Sequence, residues 1–261
     1  MDDERGAPSN VRGWLSEVYL PALVSSQAPH LMRRLGGRAT VDDPFFGRSQ
    51  GAPALPSYLE RAAAWLTHRQ ASFDTLAFTT GSDRDVTEGT LGLTVEGKRV
   101  SLPVAVVAER RAEREVEIRV YCSTKAVFGV HKGRAPLVPE DRELAVPPPV
   151  AAHLQALDRG DLDAVVASFE DRGTLRDPAG SVHAKDSGGG ALRVFYEKLF
   201  SSVGRPGVDL IMGARADDGR TCALEFTSDP GSERGGPQPG LAVYERGESG
   251  LLRAARLYYD F

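Results

Sequence analysis

A chain of 261 residues with 41% hydrophobic and 26% charged residues suits two globular domains of about 110–130 residues each and is too apolar to stay unfolded. The net charge of -4, with no dense basic tract, argues against a nucleic-acid partner. The two cysteines, Cys122 and Cys222, build no disulfide framework, the five histidines show no metal-ligand spacing, and no apolar run nears the roughly 18 residues of a membrane span. The polar, acidic opening MDDERGAPSN has no secretory h-region, so a reduced, cytoplasmic setting is expected.

Val11, Trp14, Leu15, Val18, Ala22 and Leu23 recur at helical spacing, and Pro29 suits the first turn of a second helix through Leu31 and Met32. ATVDD (39–43) reads as a short strand stopped by Pro44. Ser57-Tyr58-Leu59-Glu60 has the form of a capping box opening a helix that buries Leu59, Ala62, Ala63 and Leu66. Strand-like segments follow at 73–80, 86–95, 99–109 and 115–123. In the last, Val116, Ile118, Val120 and Cys122 share one face. The proline-rich, charged stretch 129–149 has no sustained period and reads as a linker.

The same order then returns. A helix is expected over 150–157, ended by Gly160-Asp161, which opens a short helix through Val165 and Phe169. GTLRD (173–177) is a strand stopped by Pro178, 191–200 is a helix, and strands are expected at 207–215, 221–228, 240–246 and 251–260. Helix, helix, strand, helix and a four-strand meander, written twice, indicate an α+β class with domains at 1–125 and 149–261 around a linker at 126–148. The copies keep register. Asp43-Pro44 and Asp177-Pro178 stand 134 residues apart, as do Tyr19 and His153, while Arg119-Val120-Tyr121 and Arg256-Leu257-Tyr258 stand 137 apart.

HLQALDRGDLDAVVASFEDRGTLRDPAGS (153–181), LRVFYEKLF (192–200) and RLYYDF (256–261) resemble the ketosteroid-isomerase and SnoaL-like branch of the nuclear-transport-factor-2-like superfamily. The resemblance covers nearly all of 150–261; residues 9–123 match it more weakly, through TVDDP and spacing. It implies two tandem cone-shaped, cystatin-like α+β barrels, each with helices on a curved, mostly antiparallel sheet. It places a general base at Asp177 and at Asp43. It implies a donor to the developing enolate 24 residues upstream, at Tyr19 and at His153, with Tyr196 supporting the donor from the third helix.

The resemblance also marks departures. Ala105 and Ala242 stand where the isomerases carry a second donor, and Val120 and Leu257 where SnoaL-type cyclases carry an aspartate. Pro21 is expected to disturb the helix beside Tyr19. Leu257, Tyr259, Phe195, Val120 and Cys122 are the expected pocket lining, with Cys122 an inert buried thiol. Asp74 and Asp209, each opening the first long strand of its half, are secondary candidates for the second carboxylate that epoxide opening needs. Gly188-Gly189-Gly190 lacks a P-loop lysine and reads as a flexible rim.

The expected function is a metal- and cofactor-independent acid–base enzyme, an isomerase or cyclase acting on a hydrophobic, polyketide- or steroid-like molecule. Epoxide opening by paired carboxylates and non-catalytic ligand binding or scaffolding are the alternatives. Because family members commonly dimerise through the open sheet face, the two sheets are expected to face each other as an intramolecular pseudo-dimer. Asp177 is expected at the inner end of its strand, partly desolvated, beside His153 and Tyr196.

Overall fold

The computed structural model describes residues 14–35, 39–112, 115–186, 190–203, 206–228 and 236–260. Val11, Gly188, Gly189 and Phe261 lie outside them. The first half runs α1 (Trp14–Val24), α2 (Ala28–Leu35), β1 (Ala39–Asp43), β2 (Gly47–Gln50), α3 (Leu55–His68), β3 (Ser72–Thr80), β4 (Arg84–Val95), β5 (Lys98–Ala112), β6 (Glu115–Tyr121) and the short α4 (Lys125–Phe128). The second runs α5 (Pro148–Arg159), α6 (Leu162–Ala167), β7 (Phe169–Arg176), β8 (Val182–Ala184), α7 (Gly190–Val203), β9 (Leu210–Asp217), β10 (Thr221–Ser228), β11 (Gln238–Arg246) and β12 (Leu252–Tyr259).

The two sheets share one topology, β2-β1-β6-β5-β4-β3 and β8-β7-β12-β11-β10-β9. Pairing is antiparallel except where β1 meets β6 and β7 meets β12. Both sheets are open, so the barrels implied by the resemblance do not close. Strand alternation sends one set of side chains to the helices and the other to the opposite sheet. On β5, Val104, Val106 and Ala108 join the first helix-facing core, while Ala105 and Val107 join a cluster that includes Leu241, Val243 and Tyr258 of the second sheet.

That apolar cluster is flanked by two matching polar clusters. Arg119 Nε and Nη2 donate to Glu225 at 2.5 and 2.7 Å, and the Tyr121 hydroxyl donates to Glu225 at 2.6 Å. Arg256 Nε and Nη2 donate to Glu88 at 2.6 and 2.9 Å, and the Tyr258 hydroxyl donates to Glu88 at 2.7 Å. Each residue stands 137 positions from its counterpart. The sheets therefore meet about a pseudo-twofold, each carboxylate answered by an arginine and a tyrosine of the other half.

Local chemistry explains where the elements begin. α3 starts at Leu55, two residues before the expected capping box. Pro56 occupies its first turn, where a missing N–H costs nothing. Ser57 lies inside the helix and accepts a hydrogen bond from Arg61 instead. Asp161 caps α6, accepting from the Ala164 amide at 3.0 Å, and Gly160 ends α5 at φ 65°. Between the halves, the Asp141 amide donates to Met212 O and Val138 is buried, so the intervening segment packs along β9. Asp260, just past β12, accepts from the amides of Thr124 and Lys132 and from the Thr124 hydroxyl, pinning the start of that segment. No helix among the described residues is long and apolar enough to cross a membrane.

Candidate active site

In the first half, β1 ends on Asp43 because Pro44 cannot extend the ladder. Asp43 has the parity of Val41, which faces the helix-covered core. Asp43 still pairs with Gly47 across a three-residue turn, so its side chain is held inward and is only 2% exposed. One carboxylate oxygen accepts the Phe45 amide at 2.7 Å. Burial pushes its pKa up to about 6, against the amides of Phe45 and Phe46 and the nearby Arg134 cation, with Asp42 adding to the rise.

α1 and α3 bring two phenols into the same buried core, where both feel the charge of Asp43. The hydroxyls of Tyr19 and Tyr58 lie 3.1 Å apart, both residues fully buried. Burial, then the charge of Asp43, raises both well above the ordinary tyrosine range, so both stay protonated donors. Pro21 sits within α1 without drawing Tyr19 out of the core, contrary to expectation. Val120 and Cys122 pack in the same core, and burial raises the Cys122 thiol. Half-buried rings form a rim: Phe45 and Phe46 lie 5.3 and 5.2 Å from Trp65, and Phe128 of α4 lies 6.1 Å from Phe45.

The second half places its counterparts differently. His153 and Tyr196 meet as Tyr19 and Tyr58 do, with Tyr196 Oη 3.5 Å from His153 Nε2. The Ser168 hydroxyl donates to Val165 O at 2.6 Å, so its lone pair accepts His153 Nδ1–H at 2.8 Å, which assigns the tautomer and leaves Nε2 an acceptor. The rings of Phe169, Tyr196 and Tyr244 stand edge-on around the imidazole at 5.3–5.9 Å. Burial lowers its pKa to about 3, so it is neutral at physiological pH and cannot serve as an acid there.

Asp177 lies one residue past β7, in the five-residue loop before β8, and turns into that loop. Oδ1 accepts the amides of Ala179 and Ser181 at 3.0 and 2.9 Å, and Oδ2 pairs with His183 Nε2 at 2.9 Å. Its side chain is 16% exposed. The expected desolvated base among His153 and Tyr196 is therefore not what the loop forms. Tyr259 and Phe195 pack against the second core with Leu257, and burial together with the Asp177 charge raises Tyr259 to about 12.

Asp74 and Asp209 are exposed, unlike the side chains buried in the helix-facing core of each half, its cup. Ala105 and Ala242 are not structural equivalents: Ala105 pairs with Tyr121 at the sheet–sheet contact, whereas Ala242 pairs with Leu257 in the second core. The position facing the first cup is Val106, also apolar. Sequence reasoning missed Tyr58, Arg134 and His183. Tyr58 had a signal, since it stands 138 residues before Tyr196, close to the repeat offset.

The family model of the SnoaL-like domain matches residues 150–255. Among solved structures, the chain is similar to an NTF2-like protein of unknown function from Cytophaga hutchinsonii at 13% identity, covering 46% of this chain and 95% of that one with a TM-score of 0.35. It is also similar to a protein with a ketosteroid isomerase-like fold from Catenulispora acidiphila, at 15% identity over 45% of this chain and 88% of that one, TM-score 0.36. An LEH-like epoxide hydrolase from M. tuberculosis matches at 22% identity over 44% and 81%, TM-score 0.33. No curated protein matches the chain. The second half thus carries a SnoaL-like domain, and the first half repeats its strand order, so the chain is an α+β fold in tandem.

Proposed function

We propose that the first half is a cofactor-independent acid–base centre for a hydrophobic small molecule bearing an enolisable carbonyl. Asp43 takes a proton from the carbon beside the carbonyl. Tyr19, backed by Tyr58, donates a hydrogen bond to the oxygen as it becomes an enolate. The proton then returns to a different carbon, which is isomerisation, or the enolate carbon attacks an electrophile within the molecule, which closes a ring. The observation that carries this reading is the buried Asp43 carboxyl in one core with two buried, hydrogen-bonded phenols. A carboxyl poised near 6 is half-ionised close to working pH, where a general base is most effective. The dry surroundings strengthen the phenol-to-enolate hydrogen bond.

For the second half the neutral His153 and the loop-bound Asp177 favour ligand holding without chemistry. The paired-carboxylate reading draws no support from the exposed Asp74 and Asp209.

The test is hydrogen-for-deuterium exchange at the α-carbon of a panel of β,γ-unsaturated steroid and cyclic ketones in D2O, followed by proton NMR. Exchange catalysed by the full chain and lost in Asp43→Asn supports the reading. Exchange that survives Asp43→Asn, or that is lost only in Asp177→Asn, refutes it.

A further inference from the structure

The segment between α4 and α5 reaches back to β1 through one side chain, which meets Asp42 and the Tyr121 ring on the face of the first sheet turned to the second half. Arg134 Nη1 donates to Asp42 Oδ1 at 3.0 Å, and Nη2 donates to the Val120 carbonyl at 3.0 Å. Its guanidinium carbon lies 5.7 Å from the Tyr121 ring centroid, and the side chain is 12% exposed. Three fixed points thus hold one cation: a carboxylate of β1, a carbonyl of β6, and a ring whose hydroxyl is bonded to Glu225 of the second sheet.

The groups acting on Asp43 come from every element around it. Asp42, its neighbour on β1, opposes ionisation, and the amides of Phe45 and Phe46 favour it. Tyr19 of α1, Tyr58 of α3 and Cys122 after β6 are neutral. Arg134 supplies the positive charge that favours the carboxylate. A guanidinium suits this place because its planar fork satisfies two acceptors at once, which an ammonium cannot do in the same geometry.

We propose that Arg134 is a positioning residue for Asp43: clamped between the Val120 carbonyl and Asp42, the residue that precedes the base on β1, it holds a positive charge one residue from the base and makes that base depend on the segment joining the two halves. The proposal rests on Asp43 being the base, and its test reads Asp43 without requiring turnover. The full chain is labelled with 13C at the aspartate carboxyls and titrated by NMR, the Asp43 resonance being identified by its loss in Asp43→Asn. In the unaltered protein the midpoint is expected at about 6. Arg134→Gln should raise it by about one unit, the lower end of what a nearby opposite charge supplies. Arg134→Lys should fall between, since the charge remains without the fork.

A merely structural Arg134 would lower the melting temperature in both variants and leave the midpoint in place, and that result overturns the proposal. Should Arg134→Gln not fold, Arg134→Lys decides alone: a midpoint equal to the unaltered protein's refutes the geometric clamp. An ordinary carboxylate midpoint in the unaltered protein would instead refute Asp43 as base, while the shift on substitution would still report on Arg134.

Discussion

Three residues separate Asp43 from its partner Gly47, whereas five separate Arg176 from its partner Val182. With the tighter turn, Asp43 stays in the ladder and its carboxyl is directed into the core. With the longer loop, Asp177 leaves the strand, its Oδ1 accepts the amides of Ala179 and Ser181, and its Oδ2 pairs with His183. The same Asp-Pro dipeptide therefore yields a desolvated acid in one half and a loop anchor in the other. An Asp-Pro motif reports a strand end; the length of the hairpin behind it decides where the side chain goes. The half whose residues match the SnoaL-like family model is accordingly not the half that buries the carboxyl.

The largest expected effect separates the two aspartates. Asp43→Asn should lower α-carbon exchange by about 10²–10⁴-fold, the usual contribution of a positioned base, while Asp177→Asn leaves it unchanged. Equal losses in both variants would erase the distinction between the halves.

Next comes the joint. Glu88→Ala and Glu225→Ala each remove the carboxylate that crosses to an arginine and a tyrosine of the other sheet; Arg119 keeps Glu109 at 2.8 Å and Arg256 keeps Glu245 at 3.4 Å, so each loss stays below the about 3–5 kcal/mol of a buried pair broken outright. The two variants should melt at similar temperatures, both well below the unaltered chain. A large difference between them would show that the pseudo-twofold does not extend to energetics.

Acid should act on the halves in opposite directions. Asp43 binds its proton more tightly folded, at about 6, than unfolded, near 3.9, so stability is complete below about pH 4 and falls by about 3 kcal/mol as pH rises through 6. Asp43→Asn should then be more stable than the parent at pH 7.5 and show no advantage at pH 4. His153 has the reverse sign. Its folded value of about 3 lies below the unfolded 6.5, so stability is complete above 6.5 and declines as pH falls, by about 2 kcal/mol at pH 5. His153→Gln should flatten that acid limb. Denaturant titrations across pH 4–8 check both, and a variant that keeps the parent's slope contradicts its assignment.

The smallest effect concerns the phenol behind the donor. Tyr58→Phe should reduce exchange by roughly fivefold, as for loss of one ordinary hydrogen bond of about 1 kcal/mol. Tyr196→Phe should do nothing to exchange.

How much of this was legible follows from which forces are local. β1 ended where expected because Pro44 is a breaker whatever surrounds it, and the repeated element order is visible because each copy restates it. β2 and β8 were missed: four and three residues carry no alternation, and both exist only as partners of longer strands. Tyr58 was hidden inside an apparent capping box that Pro56 made unnecessary. Tyr19 and Asp43 could be paired by spacing. Arg134 could not, since it sits in an aperiodic, proline-rich segment whose path is set by contacts with β1, β6 and β9 rather than by its own pattern.

The crossed Glu–Arg–Tyr clusters have one more consequence. In a symmetric homodimer every substitution occurs twice, so a change that suits one cup is imposed on the other. Joining two copies in a single chain lifts that rule for the cups, which differ here at Tyr19 and His153 and in their hairpins. It does not lift it for the joint. Among the described residues, Glu88 is answered by side chains of the second half and Glu225 by those of the first, so a change on one side leaves a buried charge on the other. The joint acts as a lock with two identical keys, and behind it each cup is free to take up a different task.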